Sequence, residues 1–100
     1  MAIDSLADLS DLSFTELYAV YLAIARSDHQ WRVQTLHGEQ APPFGHFEFR
    51  PLSEAQFAQR LNTARTIVGG ESMLRGRLAR QAAAYKVDVR AELEYLRQVA

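Results

Sequence analysis

One hundred residues, 48% hydrophobic and 10% aromatic, suffice for one domain that closes its own core. The absence of cysteine excludes disulfides, thiol catalysis and thiolate zinc sites, and it fits a reducing compartment. The net charge of −1 hides a split: residues 1–46 carry six acids against two arginines, and residues 47–100 carry nine bases against six acids.

Of the eleven basic residues only Lys86 is lysine. Arginine suits planar, bidentate recognition of carboxylate or phosphate. The basic half therefore seeks an anion, which is the chain's own acidic start, another protein or nucleic acid. Asp4, Asp8 and Asp11 stand where a secretory signal carries cations, so no export signal is read. The longest apolar stretch, Leu17 to Ala25, is about half of a membrane span. A cytoplasmic location with no membrane partner is expected.

Residues 1–12 place Ile3, Leu6, Leu9 and Leu12 every third position among three aspartates. They read as an acidic N-terminal arm that either lays its leucines on the domain or docks them in a partner's basic groove. Residues 13–100 read as a single helical domain. Its first helix opens at Ser13, where Ser13 and Glu16 form a capping box and Leu12 with Leu17 a hydrophobic staple. Leu17, Val20, Tyr21, Ile24 and Ala25 mark its core face, and the expected end is near Arg26 or Ser27. Tyr18 and Tyr21 read as rim residues with hydroxyls in water.

Residues 28–50 are ambiguous. Trp31-Arg-Val33-Gln-Thr35 and Phe47-Glu-Phe49 alternate with period two around a Pro/Gly loop, which favours a β-hairpin. The competing reading continues the first helix through Trp31 to Leu36. His37-Gly-Glu39 and His46-Phe-Glu48, with His29 nearby, have ligand types that suit zinc. Hairpin register places His37 and His46 on different faces, so no metal residue is assigned.

Pro51 precedes a second start signal: Ser53 with Gln56 as capping box, Leu52 with Phe57 as staple. Phe57, Leu61, Ala64 and Val68 are the expected buried stripe, ended by Gly69-Gly70 as a left-handed cap. From Glu71 onward Leu74, Leu78, Ala82, Tyr85, Val89, Leu93 and Leu96 keep one apolar stripe. A single helix over 72–98 is about 40 Å long, more than a domain of radius of gyration about 13 Å covers. Either Asp88 starts a fourth helix or a second copy covers the overhang as a homodimer.

The expected fold is mainly α, three to four helices, with the hairpin between the first and second helices as the α+β alternative. No serine context marks a nucleophile, Gly69-Gly70-Glu71-Ser72 lacks the lysine of a phosphate loop, and no catalytic residue or cofactor is expected. The expected function is a non-enzymatic interaction protein, an adaptor, assembly factor or inhibitor, that docks a protein partner through an Arg-rich helical face. Its candidate contacts are Arg75, Arg77, Arg80, Lys86 and Arg90, with Trp31, Leu6 and Leu9 as apolar anchors. The alternatives are a nucleic-acid-binding accessory protein using the same arginines with Arg60 and Arg65, and, more remotely, a metal-dependent enzyme at a dimer interface.

Overall fold

A computed structural model describes residues 9–34 and 51–99, with the main chain alone over 32–34. Four helices follow in order: α1 (Phe14–Gln34), α2 (Glu54–Arg65), α3 (Gly70–Ala84) and α4 (Val89–Val99). The described residues contain no strand. The long α1 packs against each of the other three, and α2 packs against α3 across a short turn.

Local chemistry at both predicted starts is realised atom for atom. The Ser13 N–H donates to Glu16 Oε1 at 2.9 Å and the Glu16 N–H returns to Ser13 Oγ at 3.2 Å. At α2 the Ser53 N–H donates to Gln56 Oε1 at 3.0 Å, and the Gln56 N–H to Ser53 Oγ at 3.2 Å. Each box satisfies two donors that a helix start leaves orphaned. Leu12 and Leu17 are both buried beneath the first of them.

The favoured hairpin is corrected over its first strand. Helix α1 continues through Trp31 to Gln34, so the period-two pattern there is not a strand. A short apolar alternation does not distinguish strand from helix, and tertiary packing decides. Asp28, one turn before, is buried and accepts a hydrogen bond from the Tyr85 hydroxyl at the end of α3. That contact needs α1 to persist past Ser27. The second proposed strand, Phe47-Glu-Phe49, lies outside the described residues.

The tyrosine hydroxyls also differ from expectation. Tyr18 donates to the Leu52 carbonyl at 2.9 Å, and the Leu52 N–H donates to the Tyr21 hydroxyl at 2.8 Å. Both polar groups of one peptide-bearing residue are thereby paired to α1, which fixes where α2 begins. Phe57 then enters the ring cluster of α1, 4.8 Å from Tyr21 and 5.4 Å from Tyr18 between centroids. Such ring pairs add about 0.5–1.5 kcal/mol each beyond the area they bury.

The α2–α3 connection is shorter on helix than the apolar pattern implied. Helix α2 ends at Arg65 with Thr66 as a right-handed cap, and Val68 stands fully exposed instead of buried. Gly69, at φ 75, is the N-cap of α3, not the end of α2. Farther on, the long stripe divides as the Asp88 alternative required. The Val87 N–H donates to the Ala82 carbonyl at 2.8 Å and the Lys86 N–H to Ala83 at 3.1 Å. These are the two bonds of a Schellman motif, with Lys86 at φ 58 in the place glycine usually takes. The Ala91 N–H then donates to Asp88 Oδ1 at 3.1 Å and opens α4. With two shorter helices, no overhang requires a second copy.

The core is one cluster. Leu17, Val20 and Ile24 of α1 meet Phe57 and Leu61 of α2, Leu78 and Ala82 of α3, and Leu93 of α4. Leu9 and Leu12 from the N-terminal segment complete it.

Candidate functional site

The arginines separate into three groups once folded. Arg75 turns inward. Only 9% exposed, it donates through Nη1 to the carbonyls of Leu9 and Leu12, both at 2.8 Å, and through Nε to Glu71 Oε2 at 3.0 Å. The guanidinium does meet the N-terminal segment, through main-chain carbonyls. Leu9, offered as a partner anchor by its pattern, is 1% exposed in this chain's own core.

Glu71 is the hinge of the second group. Its Oε1 accepts from Arg65 Nε at 2.8 Å, which links the end of α2 to the start of α3 and, through Arg75, to the N-terminal segment. The hydrogen bond from Arg65 and then that from Arg75 hold the Glu71 carboxyl below its ordinary range, against a smaller upward push from burial. A carboxylate whose folded pKa is depressed stabilises the fold above its unfolded value, about 4.3, and loses that contribution as pH falls through the folded value. The expected outcome for Glu71→Gln is a melting temperature below that of the parent at pH 7. Acidification from about pH 4.3 downward should lower the parent's more than the variant's, so that the gap closes. Paired thermal melts at neutral and strongly acid pH check this.

Arg26 on α1 forms an exposed ion pair with Glu92 on α4, at 3.0 Å. Pairs of this kind contribute little.

The third group is exposed and pairs with no carboxylate among the described residues: Arg60 on α2 and Arg77 and Arg80 on α3. Lys86 and Arg90 are exposed as well, but the break at 85–88 puts Arg90 on a different helix from Arg77 and Arg80. On an unbroken helical wheel Arg75, Lys86, Arg90 and Arg97 share one flank, with Arg77 and Arg80 roughly opposite; that flank is divided, because Arg75 is buried on α3 while Arg90 and Arg97 lie on α4. Trp31 lies half-buried on α1. Leu6 lies outside the described residues, as do both H-x-E pairs, His37 with Glu39 and His46 with Glu48. His29 is exposed on α1.

Arg60 and Arg77 line an open groove of about 830 Å³ between α2 and α3. Its apolar lining includes Leu52, Ile67, Met73 and Leu74, and no carboxylate among the described residues lines it. Ile67 and Met73 are 62% and 68% exposed. Gly70 brings the two helices together here: a Cβ on it would lie 2.2 Å from the Ala64 carbonyl oxygen. Sequence reasoning missed Ile67 and Met73. The available signal was an apolar Ile67-Val68 pair in a turn, where polar residues are usual. No described helix is long and apolar enough to cross a membrane.

Comparison of the chain with protein-family models, curated proteins and solved structures yields no match in any of the three.

Proposed function

We propose that this chain is a non-enzymatic interaction protein, an adaptor, assembly factor or inhibitor, that docks a larger protein partner through the outer side of α2 and α3. The observation that carries the reading is the adjacency of Arg60 and Arg77, which pair with no carboxylate among the described residues, to the exposed Ile67 and Met73 around one groove. Arginine beside desolvatable apolar surface is the composition of an interface hot spot. Phosphate tracking uses the same cations but gains nothing from Ile67 and Met73, so the apolar residues favour a protein partner over nucleic acid. Arg80 extends the basic surface along α3, whereas Arg75 supports the fold behind it.

Site-directed photocrosslinking tests the reading. With a benzophenone side chain in place of Arg80, the chain in extract from its own cells should yield an adduct that protease destroys and nuclease does not. The same group in place of Gln98, exposed on α4, should yield none. A nuclease-sensitive adduct at Arg80 would move the assignment to nucleic acid.

A further inference from the structure

The outer groove supports a statement about the kind of segment it holds, which rests on the docking reading above. We infer that the α2–α3 groove binds one amphipathic helix bearing acidic residues on the flanks of an apolar stripe. Three observations converge. The floor between the helices is apolar, and Ile67 and Met73 are left largely in water. Among the described residues both charged side chains in the lining are cations, Arg60 from α2 and Arg77 from α3, and none is acidic. Glu71, in the first turn of α3, is occupied by Arg65 and Arg75.

Length also matters. The twelve residues of α2 run about 18 Å at 1.5 Å per residue, so the occupant is a helix of about three turns. Apolar side chains at i, i+4 and i+7 would enter between Met73 and Ile67, the recurrent grammar of helix-in-groove recognition. Carboxylates on either side of that stripe would then meet Arg60 and Arg77. Guanidinium–carboxylate pairs at the rim set orientation and on-rate, while the apolar floor sets the residence time. A second copy of this groove is a poor occupant, because its own rim charge is positive.

The test is fluorescence anisotropy on the full chain with three labelled probes. The first is an acidic peptide of about twelve to sixteen residues with leucines at i, i+4 and i+7. The second has the same composition with leucines dispersed around the helix. The third is a single-stranded oligonucleotide of similar length. The patterned peptide should bind at least about tenfold more tightly than the dispersed one, a difference of about 1.4 kcal/mol. Met73→Glu and Arg77→Glu, both at exposed positions of α3, should each weaken it at least about tenfold. Gln98→Glu on α4 should not, and circular dichroism should be unchanged throughout. Equal binding of both peptides, with Arg77→Glu harmful and Met73→Glu neutral, overturns the groove assignment while arginine-mediated docking stands. Binding of the oligonucleotide alone overturns both. A concentration-dependent mass increase that Met73→Glu abolishes makes a second copy the occupant and overturns the inference, as does the absence of binding by every probe.

Discussion

Arg75→Met lowers the unfolding free energy by about 3–5 kcal/mol, from two buried hydrogen bonds donated by a charged group at about 1.5–3 kcal/mol each, while Glu71 keeps Arg65. Methionine preserves most of the stem's packing and removes all three donated hydrogen bonds, so the loss isolates the guanidinium. Two of those bonds end on main-chain carbonyls. The Leu9 oxygen retains the Leu12 N–H at 3.3 Å, but the Leu12 oxygen keeps no donor among the described residues. A buried acceptor stripped of its donor costs about 1–3 kcal/mol. For a domain of this length, each 1 kcal/mol shifts the midpoint by about 4–8 °C, so the fall in melting temperature is on the order of 15 °C or more. Denaturant melts give the free energy, and hydrogen exchange locates it: protection is lost first at Leu12 and Ser13, where the segment leaves the core. Arg75→Lys recovers only part of the loss, since one ammonium does not reproduce a fork that reaches Glu71 and two carbonyls together. A variant as stable as the parent would show that the N-terminal segment is held by Leu9 and Leu12 alone.

Gly70→Ala comes next in expected effect, destabilising by about 3 kcal/mol, at the upper end of the usual range for overpacking. The added Cβ meets the Ala64 carbonyl oxygen at 2.2 Å and the Ala64 carbonyl carbon at 3.1 Å. The obstruction is main chain at the end of α2, which no rotamer change relieves, so the α2–α3 turn must open. The neighbouring Gly69→Ala costs only on the order of 1 kcal/mol. Nothing lies within 4 Å of its Cβ, and the penalty is that of a left-handed backbone, φ 75, for an L side chain. The ordering, Gly70→Ala below Gly69→Ala below the parent, is read from urea midpoints of the three proteins. The reverse ordering would mean that backbone conformation, not the approach of the helices, makes this pair glycine.

These two variants show where the sequence was legible and where it stopped. Both glycines were readable as a helix boundary, but their roles were not. A positive φ is a local property that a Gly-Gly pair suggests, whereas the 2.2 Å approach of Ala64 exists only after α3 folds back on α2. Arg75 makes the same point more strongly. On a helical wheel it sits with Lys86, Arg90 and Arg97 beside the apolar stripe, as a surface cation would. Its inward turn depends on two carbonyls more than sixty residues away in the chain, and no spacing encodes that.

The candidate groove was half legible. Arg60, Arg77 and Arg80 are exposed as arginines usually are, and the basic composition of the C-terminal half pointed to them. The alignment of Arg60 and Arg77 with Ile67 and Met73 was hidden because the expected helix ran through Val68 and placed Val68 in the buried stripe. The actual end of α2 at Arg65 leaves Ile67 and Val68 on the surface.

By itself the sequence determined what neighbours within four residues decide: both capping boxes, both staples and the stripe from Leu17 to Ala25. Hydrogen bonds and side-chain contacts one turn apart are enough to specify each of these. Only the tertiary structure decided where α1 stops, where the hydroxyls of Tyr18 and Tyr21 find partners, which arginine is interior, and which apolar side chains remain in water. Each of those outcomes balances groups brought together from distant segments. Burial of a polar atom is tolerable only when its partner arrives with it, and which partner arrives is a property of the packed chain.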